Sequence, residues 1–395
     1  MSFRQYGGLN YARKNNIISN AYASTDNISI NQILSTETIT SIQDISCNSV
    51  HIGRGGSSVS TNTILGSNNL KNNTQGSFNT AIGYNSLLTN TNGNYNTSIG
   101  TNTLYLNTLG YQNTAQGSNS LYSNTGGYQN TACGAGSLYS NNVGYQNTGN
   151  GAGALFSNTS GQLNTGCGSG SLYSNTYGYQ NTAHGSNSLY SNTGGFQNIA
   201  LGVSSLLYNI SGYQNTGIGC ESLFTLISGY QNTAIGYQSG SNLISGTNNT
   251  CIGNQTLSST SSVSNEITLG NSGITTLRCY ATSLTSLSDK RDKKDINPLK
   301  TCGEFINMLN PVNFVWDSRD GSKTDIQDVG FIAQELQNVQ EVTGITIPGL
   351  VYDVNPDQLE ASYGKLIPVL VKAIQEQNTT IQKLEEKLDS LCNKK

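Results

Sequence analysis

Glycine recurs every 17 residues through the middle of this chain, at Gly76, Gly93, Gly110 and onward to Gly246. Asparagine follows each one three residues later, from Asn79 to Asn249, and a second glycine follows seven residues later, from Gly83 to Gly253. The consensus reads G-Y-Q-N-T-A-x-G-x-x-S-L-Y-S-N-T-x. Eleven full copies run without insertion or deletion, and a partial copy with Asn62, Thr63 and Gly66 in register precedes them, making about twelve over residues 59–262. A strict period of this length marks a stacked repeat, in which each unit buries its apolar face against the next.

The residue types suit short strands joined by tight turns. Glycine permits the positive φ that turns require. Stacking places equivalent residues above one another, so backbone pairing runs from coil to coil and each asparagine can join a ladder. The position after Asn-Thr is small almost throughout (Ala81, Ser98, Ala115, Gly149) and is expected to face inward. Leu87 and its equivalents to Leu206 supply the apolar contact. One leucine, one small residue and one aromatic per coil make a thin core. At ~25 cal/mol per Å² its burial falls short of the ordering entropy, so several chains are expected to share it. A disordered Asn/Gly/Ser/Tyr tract has the same composition. The register argues for order, because disorder imposes no glycine every 17 residues.

Charge divides the chain. Charged residues make up 10% of it, against about 25% in an ordinary globular protein. Residues 72–220 contain none. Residues 1–287 hold 6 basic and 5 acidic residues, and residues 288–395 hold 13 and 17. Nucleic-acid binding needs clustered Lys and Arg, which the repeat lacks. No apolar run reaches the ~20 residues of a membrane span, and the opening MSFRQYGGLNYARKNNIIS is too polar for a secretory signal. The only histidines are His51 and His184, which disfavours an ordinary metabolic enzyme, and no cofactor is expected. The eight cysteines (Cys47, Cys133, Cys167, Cys220, Cys251, Cys279, Cys302, Cys392) form no CxxC. Buried free thiols in a reducing compartment is the ordinary reading.

Two repeat positions carry candidate chemistry. The residue before the second glycine runs Ile82, Ile99, Gln116, Cys133, Asn150, Cys167, His184, Leu201, Ile218, Ile235, Ile252, apolar at both ends and polar in the centre. If this position faced a symmetry axis, Cys133, Cys167 and His184 would form rings able to hold a soft metal. The alternative is a hydrated or thiol-packed core position. Tyr111, Tyr128, Tyr145, Tyr179, Tyr213 and Tyr230 share one phase. As an exposed stripe they would suit glycan stacking on a host surface; the alternative is packing between coils. The unit Asn-Thr-Ala-Ile-Gly, at 79–83 and 232–236, is similar to the head repeats of trimeric autotransporter adhesins, which form trimeric left-handed parallel β-rolls. Their unit is shorter, so their coil geometry is not carried over.

Residues 263–287 are expected to form a β-rich neck, with a last strand pair at Asn265–Gly270 and strands over Ile274–Thr285. Charge then returns in Leu287-Ser-Asp-Lys-Arg-Asp-Lys-Lys-Asp-Ile296. A serine followed five residues later by a lysine, Ser288 and Lys293, can form a nucleophile–base dyad, and the neighbouring cations Lys290, Arg291 and Lys294 favour loss of the lysine's proton. A basic surface turn has the same spacing.

The pattern S-D-x-R-x-K-x-D-I followed by a helix resembles the start of the intramolecular chaperone auto-processing domain, the self-cleaving C-terminal domain of phage endosialidases and many viral tail spikes and fibres. Phe305–Leu309 with Pro311-Val-Asn-Phe-Val-Trp316, Val329-Gly-Phe-Ile-Ala-Gln-Glu335, and Tyr363 through Glu376 resemble its later motifs, so the resemblance covers residues 288–395. It implies a domain that trimerises, templates the fibre ahead of it and cuts itself off. It further implies Ser288 as nucleophile, Lys293 as general base and Leu287–Ser288 as the scissile bond, with Asp289 and Arg291 orienting the dyad and Gln334 and Glu335 in a site segment. Asp295 stands where the family more often has Asn.

After Pro368 the apolar positions alternate by three and four: Leu370, Ile374, Gln377, Ile381, Leu384, Leu388, Leu391. Ile at a and Leu at d lean towards two strands; the family implies three, and three is expected. An amphipathic helix packed on its own domain is the alternative.

The expected architecture is mainly β: a trimeric parallel β-solenoid or β-roll shaft of 17-residue repeats, then a small α+β chaperone domain ending in a coiled coil. Residues 1–58 would attach the fibre, their opening being similar to those of giant-virus fibre proteins. Residues 59–262 form the shaft, 263–287 the neck, and 288–395 the chaperone with its coiled coil at 370–391. The expected function is a homotrimeric viral fibre for host attachment, anchored in the virion through its N-terminus and assembled in the host cytoplasm. Its partners would be a host glycan or receptor, with no nucleic acid and no membrane insertion. A non-viral trimeric adhesin or transcription factor would need an anchor or a DNA-binding segment. A glycan depolymerase would need two carboxylates across a cleft, and residues 72–262 offer only Glu221.

Overall fold

The computed structural model describes residues 45–278, 286, 288–319, 321 and 323–393. Most of the expected attachment region at 1–58 lies outside these residues, as do Cys279 and Leu287. Of the chain's two units, Met1–Ile42 is outside them and Gln43–Lys395 is the one described below.

One 15-stranded sheet runs the length of the repeat. It opens on an antiparallel hairpin, β1 (Ile45–Cys47) and β2 (Val50–Gly53), which pairs antiparallel with β3 (Thr63–Ser67). From β3 every pairing is parallel. β4 (Thr80–Tyr84) and β5 (Thr97–Thr101) are followed at the same phase by three-residue strands β6–β15, the first Thr114–Gln116 and the last Ile267–Leu269. Partners are equivalent residues of adjacent coils: Thr80 pairs with Thr97, Thr165 with Thr182, Thr233 with Thr250. The sheet thus continues through β15 into the expected neck. Residues 271–278 form no strand, and 279–285 and 287 are outside the described residues.

Each coil closes on itself. Leu87, Leu104, Leu121, Leu138, Leu155, Leu172, Leu189 and Leu206 are all 0% exposed within the single chain, as are Ala115, Ala132 and Ala183. The expectation that several chains must share this core is therefore corrected. It counted only apolar side chains, whereas half of the interior is asparagine and serine. Asn147 is representative. Its Nδ2 donates to Gly161 O (2.8 Å) and to Asn130 Oδ1 (3.1 Å). Its Oδ1 accepts from Asn164 N and Nδ2 (both 3.1 Å). A second buried ladder runs through Asn141 and Asn158, each Nδ2 reaching the Oδ1 of the coil before (2.8 and 2.7 Å). Buried amides are stable only when paired, and stacking identical coils pairs them. Where Leu226 replaces asparagine in the second ladder, Asn209 Oδ1 is left buried without a partner. Glu266 ends the first ladder: it occupies the asparagine slot and its carboxylate accepts from Ser259 N (2.9 Å) and Thr268 Oγ1 (3.0 Å).

The two glycines are needed for different reasons. Gly151 has φ +142°, and a Cβ there would lie 2.5 Å from the carbonyl oxygen of Gly168. Gly144 has an ordinary φ, but a Cβ would lie 2.3 Å from Asn141 Oδ1. Leucine also adopts the left-handed region, with Leu138 at φ 53° and Leu155 at 55°. That conformation costs about 1–2 kcal/mol for a side-chain-bearing residue. Full burial of the leucine, about 1.5–3 kcal/mol, offsets it.

The C-terminal domain has a separate core of Cys302, Phe305, Leu336, Val339, Leu350, Leu366 and Val369. Helix α1 (Gly303–Met308) leads to the antiparallel pair β16 (Val312–Asp317) and β17 (Thr324–Gly330). Helix α2 (Ala333–Thr343) ends on Gly344 in the left-handed region (φ 63°), and β18 (Val351–Tyr352) pairs antiparallel with β19 (Glu360–Ala361). Helix α3 runs Leu366–Cys392. Pro368 does not interrupt it, because it lies in the first turn, where a missing N–H costs no intrahelical bond. Glu376 of α3 caps α1, accepting from Cys302 N and Gly303 N (3.2 and 3.1 Å).

Candidate functional site

Ser288 and Lys293 meet. Asp289 caps a single 3-10 turn, Lys290–Asp292, its side chain accepting from Arg291 N at 2.8 Å. The turn closes through Lys293 N to Lys290 O (3.2 Å) and folds the lysine back over the serine. Lys293 Nζ lies 2.5 Å from Ser288 Oγ and 3.3 Å from Ser288 O. Arg291 grips Asp289 through Nε (3.1 Å to each carboxylate oxygen) and Nη2 (2.6 Å). These bonds hold the Asp289 carboxyl below its usual value and raise the Arg291 guanidinium. The pair thus locks the turn that sets the dyad, and its own bonds go to each other. Asp295, next along, sits in the left-handed region at φ 55°. Asn and Asp are the side-chain-bearing residues that enter that region most readily, so the departure from Asn preserves the backbone.

Ser288 and Lys293 are both exposed in the single chain. Glu335 is not joined to them: it accepts from Asn310 Nδ2 at 3.2 Å, and Gln334 is exposed on α2. A contact that motif reading did not single out lies nearby in sequence. Tyr363 Oη donates to Phe331 O (3.0 Å) and accepts from Phe331 N (3.1 Å), which pins the Val329–Glu335 segment to the start of α3. Its tyrosine opens the Tyr363–Glu376 motif, but its partner could be found only in three dimensions.

Within one chain the candidate ring positions lie on the outer sheet face, so Cys133 and His184 are not the core positions of the alternative reading. The strand alternates, with Thr131 out, Ala132 in and Cys133 out. Cys133 and His184 are accordingly exposed and Cys167 partly so, on the outer sheet face rather than in a core. His184 pairs with Cys167 across one rung. Among the described residues no three His, Cys, Asp or Glu side chains cluster as a metal site. Of the six described free thiols only Cys251 and Cys302 are buried, so burial is not the rule the composition suggested. Burial pushes the Cys251 thiol up to about 11.

The tyrosines stack on one another. Tyr111, Tyr128 and Tyr145 form one column, and Tyr179, Phe196, Tyr213 and Tyr230 another, at centroid spacings of 4.8–4.9 Å and interplanar angles of 2–4°. Gln162 interrupts them. A second aromatic position, Tyr105 through Tyr190, stacks at 5.0 Å and was not anticipated. Each inner ring has both faces covered by its stacked neighbours. Ring faces free of a stacked neighbour occur at Tyr111, Tyr145, Tyr179 and Tyr230. Burial and the adjacent phenols raise Tyr122 and Tyr128 above the ordinary value of 10.0. A raised folded value means the folded shaft holds these protons more tightly than the unfolded chain. The stability this contributes is whole below pH ~10 and is lost as pH rises through the folded value. Melting temperatures should therefore fall as pH rises above that value. Tyr128→Phe should lessen the fall, and identical alkaline profiles for the two proteins would refute the coupling.

These features define a closed β-solenoid shaft joined to a small α+β domain that begins at a serine–lysine turn. Residues 288–351 match the family model described as the chaperone of endosialidase. Comparison with curated proteins and with solved structures returned no match. The protein is fibre-like, with a chaperone role in its C-terminal part.

Proposed function

We propose that the C-terminal domain brings copies of the chain together, templates the shaft, and then removes itself by one cut at Leu287–Ser288, leaving a homotrimeric fibre that attaches a virion to its host. The observation that carries the cut is the 2.5 Å approach of Lys293 Nζ to Ser288 Oγ. Ser288 Oγ attacks the Leu287 carbonyl carbon, neutral Lys293 takes the hydroxyl proton and passes it to the departing Ser288 nitrogen, and the chain is left as an ester. Water then hydrolyses the ester, freeing the Leu287 carboxylate and restoring the serine. A base lysine works best out of water, and Lys293 is exposed in the single chain. Assembly supplies the burial, so cutting follows association.

Association is supported by α3. Leu370, Ile374, Ile381, Leu384, Leu388 and Leu391 are 42–67% exposed at heptad spacing, while Leu366, Val369 and Ala373 are spent on the domain's own core. A helix bearing both faces needs partners for the first. Attachment through residues 1–58 and glycan contact at the free ring faces of the tyrosine columns are part of the same reading, as is a virion location. Intact mass after expression tests the cut: the wild-type chain should yield fragments of 287 and 108 residues, from the proposed bond in the 395-residue sequence. A chain that stays whole while light scattering shows a stable trimer would refute it.

A further inference from the structure

The position before the second glycine forms a single outward column on the flat sheet face. At its C-terminal end Leu201, Ile218, Ile235, Ile252 and Leu269 are cross-strand partners on consecutive rungs. Leu201, Ile235, Ile252 and Leu269 are 45, 39, 41 and 53% exposed. Ile199 and Ile267 flank this run at 46 and 72%, where other coils present threonine. At the N-terminal end Leu65, Ile82 and Ile99 continue the same column, and Leu65 and Ile99 are 43 and 37% exposed. Between them lies a polar window of five rungs, Gln116 to His184.

We propose that this column is the face by which the shafts of identical chains meet, with aliphatic contact at its two ends and the polar rungs between. The inference rests on the self-association argued above and goes further by naming the surface. Three observations choose a second copy as the occupant. Only a shaft with the same rung spacing, ~4.8 Å, can set one aliphatic residue against another at every level, and an identical chain has it by construction. Identical faces set like charges against each other, which is repulsive; this column has none, and the shaft carries no charge at all from residue 72 to 220. The longer aliphatic run is at the C-terminal end, on the side of the chain where α3 presents its own unpartnered stripe. The seven aliphatic residues of that run offer on the order of 600 Å² per copy, most of the roughly 800 Å² per partner of a standard interface.

The competing surface is the short run Ile210, Ile227 and Ile244, 45, 42 and 42% exposed, which replaces threonine two residues before the first glycine. The test uses the full chain with Ile235→Cys or Ile227→Cys, a short bismaleimide, and mass spectrometry of the linked peptides, with light scattering on the same samples. Both positions are exposed enough to accept cysteine without repacking. Expected are 235–235 links between chains, and Cys133–Cys133 links in the unsubstituted protein, with none at position 227. Links at 227 and none at 235 or 133, in a sample that scatters as an oligomer, would overturn the proposed face alone. A monomer throughout would overturn the self-association reading and this face with it.

Discussion

A chain carrying Ser288→Ala is expected to persist as one 395-residue species under conditions in which the wild type is fully cut. The loss should be complete, because the attacking oxygen is removed and no other described hydroxyl is hydrogen-bonded to Lys293. Lys293→Ala should behave alike, keeping the hydroxyl but removing the group within 2.5 Å that takes its proton. General-base assistance of this kind contributes about 10²–10⁴-fold, so any residual cutting should be slower than the wild type by about that factor. Arg291→Ala is the informative intermediate. Its side chain touches Asp289 and not the dyad, so it should slow the cut by loosening the turn, while Arg291→Lys restores part of the rate. All these variants should still assemble, since folding and association precede cleavage. Unchanged fragments from Ser288→Ala would show that another residue is the nucleophile.

Asn147→Ala is expected to cost the shaft about 1–3 kcal/mol, because it leaves a buried backbone donor without an acceptor. The Gly161 carbonyl keeps the Asn158 Nδ2 donor (3.1 Å), while the Asn164 backbone N–H loses its acceptor. Asn147 and Asn164 are both 0% exposed, so the stranded group lies away from bulk solvent. In a stacked array each coil touches only its neighbours, so the damage should be local: faster amide exchange at Thr131, Thr148 and Thr165, and an earlier first melting step. Thr148→Ala, one residue away on the exposed face, should change stability by no more than ~0.5 kcal/mol. Equal effects of the two substitutions would remove the ladder from the account of stability.

Much of this was legible in the chain itself. The 17-residue recurrence foretells coils, the Asn-Thr pair a ladder, and the S-D-x-R-x-K pattern a turn that brings serine and lysine together. Other features were not legible. The interior was judged thin because hydrophobic counting omits amide pairing, and the pairing depends on the next coil lying ~4.8 Å away. The tyrosines left an exposed stripe and packing between coils both open, because a sequence shows phase but not that each ring lies flat against the next. Whether Cys133 and His184 lie in a core was left open, and strand alternation turns them to the outside of the coil. Left-handed leucine has no local signal at all, since the residue's own preference opposes it.

Sequence alone determined the register, the absence of charge along the shaft and its return at residue 288, because these are properties of order along the chain. Only the tertiary structure decided what is inside and what remains uncovered: asparagine in the core, aromatic rings stacked at its edge, and aliphatic side chains of the shaft and of α3 left to solvent. The reason is that burial belongs to neighbours in space. A coil's neighbours are fixed by stacking, while the partners of the exposed stripes are other molecules.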